Sequence, residues 1–129
     1  YYIMLAETFT SITYLEENFL IKKIMSELDN RIEGTIILFG SFAKGRATKE
    51  SDIDLFIVTE RKSKAHIDAA REVESLTGKT ISVKSASETV FLKGFARGDP
   101  LFREVVSDHI ILKGIDSFVD MMWRIYVRP

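Results

Sequence analysis

The pattern of apolar residues predicts a small mixed β-sheet with helices packed on it, an α/β architecture. Three observations carry that expectation. Thr35–Phe39 is apolar and β-branched without interruption, as a strand buried on both faces requires. A second apolar run, Asp52–Thr59, follows after a connection too short for a crossover helix, so these two strands should be antiparallel. Stretches with apolar residues at helical spacing flank this pair on both sides.

Taken in order, Tyr1–Leu5 is a short β-like run. From about residue 10 to 28, Ile12, Leu15, Phe19, Leu20, Ile24, Met25 and Leu28 recur at helical spacing, which predicts one helix or two. Asp29-Asn30 and Glu33-Gly34 then stop the helix before the first strand. Gly40-Ser41 breaks that strand, and 42–50 reads as a polar loop that could open with a helical turn. After the second strand, Ser63 is placed to cap a helix running to Thr77, with Gly78 at its end. Thr80–Lys84 alternates as a strand, Ile81 and Val83 facing one way, Ser82 and Lys84 the other. Glu88–Ala96 is helical, Asp99-Pro100 starts a further helix to Ser107, and His109–Leu112 is a short strand. A last helix begins at Asp116 and bears Phe118, Met122, Ile125 and Tyr126.

Composition narrows the class of function. The 129 residues suit one core. Lys plus Arg number 18 against 19 Asp plus Glu, so the chain is not basic overall and nothing in it favours a nucleic-acid footprint. There is no cysteine, hence no thiolate nucleophile and no Cys-type zinc site, and no apolar run is long enough to cross a bilayer. These features fit a cytoplasmic protein with no membrane partner. Because the sequence starts at Tyr1, we read 1–33 as an N-terminal helical segment, the tail of an upstream domain, 34–114 as the main domain and 115–129 as a C-terminal helix.

The chemistry is concentrated between Gly40 and Asp54. Gly40-Ser41 ends a buried strand, Gly45 follows, and Lys44 lies in the same loop. Glycine lets backbone amides approach an oxyanion closely, and a serine hydroxyl adds a donor, so this loop can cradle phosphate. Ser51-Asp52-Ile53-Asp54 opens the second strand, and alternation puts both carboxylates on one face. Mg²⁺ takes one or two carboxylates and completes its shell with water and phosphate oxygens. A phosphate cradle beside two carboxylates is the equipment of metal-assisted phosphoryl or nucleotidyl transfer. Elsewhere the bland readings prevail: His66 is a surface residue, His109 a strand boundary, Trp123 and Met121-Met122 belong to a packed helix, and Arg97 and Arg103 flank a solvated turn.

Gly40-Ser41, Gly45 and Ser51-Asp52-Ile53-Asp54-Leu55 resemble the signature of the DNA polymerase β-like nucleotidyltransferase superfamily, in particular its minimal nucleotidyltransferase (MNT) branch. The resemblance implies a nucleotidyltransferase-like α/β sandwich. It implies that Gly40, Ser41, Lys44, Gly45 and Ser51 contact an NTP, most simply ATP, and that Asp52 and Asp54 are catalytic through the Mg²⁺, or Mn²⁺, they bind. A nucleoside monophosphate would pass to a hydroxyl on a partner molecule, which in MNT antitoxins is a HEPN-type toxin. The family places a third carboxylate on the next strand, where this chain has Ser82. Two other readings stay open: a degenerate nucleotide-binding module without catalysis, and part of a DNA-binding regulator that meets nucleic acid only through a further domain.

Overall fold

The structure, a computed structural model, describes residues 2–61 and 64–127 and, of residues 126 and 127, the backbone only. Its elements are α1 (Tyr2–Glu17), α2 (Phe19–Leu28), β1 (Thr35–Phe39), α3 (Gly40–Ala43), β2 (Ile53–Val58) and α4 (Ala65–Thr77). They continue with β3 (Ile81–Ala86), α5 (Glu88–Ala96), α6 (Pro100–Ser107), β4 (Ile110–Lys113) and α7 (Ile115–Val127). Four strands form one sheet in the order β3-β2-β1-β4. β1 runs antiparallel to both β2 and β4, while β2 and β3 are parallel and joined through α4.

Period-two alternation divides each strand between two cores. Ile36, Leu38, Ile53, Leu55, Ile57 and Ile81 meet α2 and α4 on one face. Ile37, Phe39, Phe56 and Val58 meet α5, α6 and α7 on the other. β1 is buried at every position, as its unbroken apolar run requires. α2 belongs to the first core through Ile21, Ile24, Met25 and Leu28. Gly78 ends α4, and the side chain of Asp99 caps α6 by accepting from Leu101 N, with Pro100 at the first turn.

One element departs from expectation. Residues 2–5 are helical, the first turn of α1, where the sequence reads as β-prone. Ile3 and Leu5 have no strand beside them to pair with, and α1 instead lies along β4 and α7. Propensity is a weak prior that tertiary packing overrides. Ser63, the expected cap of α4, lies outside the described residues, as do Tyr1 and the side chain of Tyr126.

A half-buried ion pair holds α1 in place. His109 Nε2 lies 2.8 Å from Glu7 Oε1, and His109 Nδ1 lies 2.9 Å from the Val106 carbonyl. Both ring nitrogens face acceptors, and only the imidazolium can donate to both. Burial of the ring opposes the charge, but Glu7 and the backbone carbonyls outweigh it, so the pKa of His109 is raised. A raised folded-state value means the pair contributes in full below the unfolded pKa of about 6.5 and is lost as pH rises through the folded one. Urea stability should therefore fall as pH increases across neutrality, and His109→Gln should flatten that dependence.

Candidate active site

The end of β1, the start of β2 and the start of β3 lie side by side at one end of the sheet. Asp54 is opposite Phe39 on one side and Ser82 on the other. Its neighbours Ile53 and Leu55 point into the first core, so Asp54 is on the second face, as Phe56 is. Asp52 precedes the strand by one residue, shares that parity, and is exposed.

Gly40 follows β1 directly and begins α3 with φ +70°. A Cβ built there would come within 2.2 Å of Asp54 Oδ2. Glycine is thus required twice, by its left-handed backbone and by the carboxylate pressed against it. Gly45 also has φ +70° but nothing near a Cβ, so only its turn demands glycine. The loop is tied by Lys44 N to Gly40 O at 3.1 Å and Arg46 N to Ser41 O at 2.9 Å. Ser41 is half-buried beside these turns. Ser51 builds the turn into β2: its hydroxyl accepts from Thr48 N at 2.8 Å.

The electrostatics centre on Asp54. Burial raises its pKa, the charges of Asp52 and Glu104 raise it further, and Lys84 and Lys44 pull the other way. Glu104, on α6, bonds Lys44 Nζ at 3.2 Å and so brings the loop lysine towards the acids. Glu104 escapes sequence reading because it is far along the chain, and only the packing of α6 on β1 carries it here. Lys84 shares the Asp54 face with Ser82, as the alternation of β3 predicts. Ser82 stands beside Asp54 in the parallel register, at the position where the resemblance expects a third acid.

Among the described residues no three His, Asp or Glu side chains cluster tightly enough to hold a metal by themselves. The site therefore brings together two acids, a glycine-lined loop, two lysines and Glu104. Among the described residues, no helix is long and apolar enough to cross a membrane.

Comparison with known proteins bears on the fold and the family. A Methanocaldococcus jannaschii protein for which protein adenylyltransferase activity is proposed is 35% identical over 82 residues, spanning 61% of this chain and 82% of that protein. A solved toxin–antitoxin structure with AMP-PNP superposes with a TM-score of 0.55 at 22% identity, covering 78% of this chain and 82% of the other. A tri-AMPylated Shewanella oneidensis HEPN toxin in complex with an MNT antitoxin gives 0.53 at 18% identity, covering 82% and 79%. At such identities the two structures speak for the fold. The profile of the nucleotidyltransferase domain matches residues 20–112, most of the chain, and the chain belongs to that family.

Proposed function

We propose that this domain binds an NTP together with a divalent metal ion and transfers a nucleoside monophosphate to a hydroxyl on a partner protein. The observation that carries the reading is the crowding of acids at Asp54, which is half-buried against Gly40 with Asp52 and Glu104 acting on it. Lys44 is bonded to Glu104, and no ion pair to Asp52 or Asp54 forms among the described residues. A cation would relieve this concentration of charge, and two carboxylates are the number Mg²⁺ uses beside a polyphosphate. Asp52 and Asp54 would hold it; when bound, such an ion neutralises charge on the phosphates and orients them.

The chain's own residues supply the rest. Gly40 and Ser41 present the backbone and hydroxyl to the phosphates, and the short turns through Lys44 and Gly45 hold the loop in shape. Ser51 serves from behind, by fixing the turn that delivers Asp52. ATP is the favoured nucleotide, since a structural neighbour carries its analogue AMP-PNP. A protein hydroxyl, on a HEPN-type toxin in particular, is supported by the M. jannaschii relative and by the AMPylated Shewanella complex.

Ser82 is the weak point. A serine cannot accept the proton of an attacking hydroxyl as a carboxylate does, and losing a general base costs about 10²–10⁴-fold in rate. Transfer should be measured with α-labelled NTPs, Mg²⁺ or Mn²⁺ and candidate hydroxyl-bearing partners. We expect label from ATP at a slow rate, and Ser82→Asp should raise that rate by about tenfold or more. Metal-dependent NTP binding with no transfer in either protein would favour the second reading, a regulatory nucleotide-binding module. Absence of NTP binding would defeat both.

A further inference from the structure

The lysine of the glycine-lined loop is already engaged in the free protein. Lys44 Nζ donates to Glu104 Oε2 at 3.2 Å, and the two side chains are 32% and 39% exposed, so a ligand can reach the pair. Its two ends are held differently. Glu104 rides on α6 beside the buried Phe102 and Val105. Phe102 is wedged against Gly94, where a Cβ would collide with its ring, and it meets Phe56, two residues beyond Asp54, edge to face. The glutamate is thus anchored to the packed cluster that underlies the acids. Lys44 stands at the turn closing α3, its backbone N bonded to Gly40 O and its ammonium at the end of a flexible four-carbon stem. Lys84, the other cation acting on Asp54, forms no ion pair among the described residues, so the pairing falls on the loop cation.

We propose that Glu104 masks the loop cation, and that a polyphosphate entering the site takes Lys44 over from it. On the nucleotide-binding reading, on which this rests, Lys44 faces the phosphates. The charges of Asp52 and Glu104 both act on Asp54, and of these three acids Glu104 is the one with an ion pair among the described residues. A polyphosphate carries several negative charges where Glu104 carries one, and ammonium–phosphate contacts are strong charge-assisted bonds, so the exchange favours the ligand. Because α6 is packed and the lysine stem is free to turn, the lysine moves and the glutamate stays. Glu104 is therefore a positioning residue: it acts on the phosphates through Lys44. Each binding event must first break the pair, so the wild-type site holds a polyphosphate less tightly than its loop could.

Calorimetric titration with ATP and with inorganic tripolyphosphate, each with Mg²⁺, tests this on the wild type, Glu104→Gln, Lys44→Met and the double variant. We expect Glu104→Gln to bind both ligands about two- to fivefold more tightly, the range of an exposed ion pair, with unchanged circular dichroism. Lys44→Met should cost more affinity in the Glu104→Gln background than in the wild type, by about the same factor, because only there does the lysine give its full contact to phosphate. Unchanged or weaker binding by Glu104→Gln, as a merely structural role would produce, overturns the proposal. So does an equal cost of Lys44→Met in both backgrounds, which would make Glu104 act on the phosphates directly. A gain with ATP that tripolyphosphate does not share overturns it as well. A wild type that binds neither ligand defeats the nucleotide-binding reading itself, and the masking role falls with it.

Discussion

Asp54→Asn is expected to remove nucleotidyl transfer while making the free protein more stable. The loss should be on the order of 10³-fold, beyond the 10–100-fold that follows from removing an outer partner of a metal ligand. The gain in stability comes from the same carboxylate. Burial and the charges of Asp52 and Glu104 raise its folded-state pKa, so at neutral pH the ionised group opposes folding. A neutral isostere removes that penalty, and the benefit disappears as pH falls below the unfolded value of about 3.9. Label transfer, metal-dependent NTP binding and a melting temperature at pH 7 and pH 4 check the three parts separately. Transfer at the wild-type rate by the Asp54→Asn variant would remove Asp54 from the reaction. Lost activity together with a lowered melting temperature would assign it a structural role instead.

The second large effect concerns the aromatic cluster under the site. Phe56, Phe91 and Phe102 form a triangle with ring centroids 5.5, 5.6 and 5.2 Å apart, each pair edge to face. Phe91 is fully buried. Phe91→Ala should cost about 3–5 kcal/mol, as a truncation that leaves a cavity in a packed aromatic cluster. Against a domain stability of about 5–15 kcal/mol, that leaves a protein that unfolds at low urea, which equilibrium denaturation will read directly. Phe56 is two residues from Asp54 on the same face of β2, so the variant should also lose NTP affinity before it unfolds. A change below about 1 kcal/mol would show that the cluster repacks freely.

Much of this molecule is legible in its residues, for identifiable reasons. Thr35–Phe39 can only be a doubly buried strand, and the short link to Asp52 forces an antiparallel neighbour. Parity alone puts Ser82 and Lys84 on one face of their strand, and the parallel register of Asp54 with Ser82 makes it the Asp54 face. The helix at residues 2–5 was not legible, because a β-prone stretch without a strand partner takes the conformation its surroundings offer. His109 reads as a boundary residue, since its partner Glu7 sits at the far end of the chain. Glu104 carries no local signal of any kind. Contacts between distant segments are set by packing, and periodicity speaks only of a segment's own faces.

The placing of the two acids at the strand mouth separates them in stiffness. Asp54 sits inside the ladder with a neighbour on each side, whereas Asp52 stands one residue beyond it, in open chain. One carboxylate therefore behaves as a fixed jaw, its ordering entropy already spent during folding, and the other as a movable jaw that closes on what enters. Amide exchange should be slow at Asp54 and fast at Asp52 in the free protein, and a bound ligand should slow only the second.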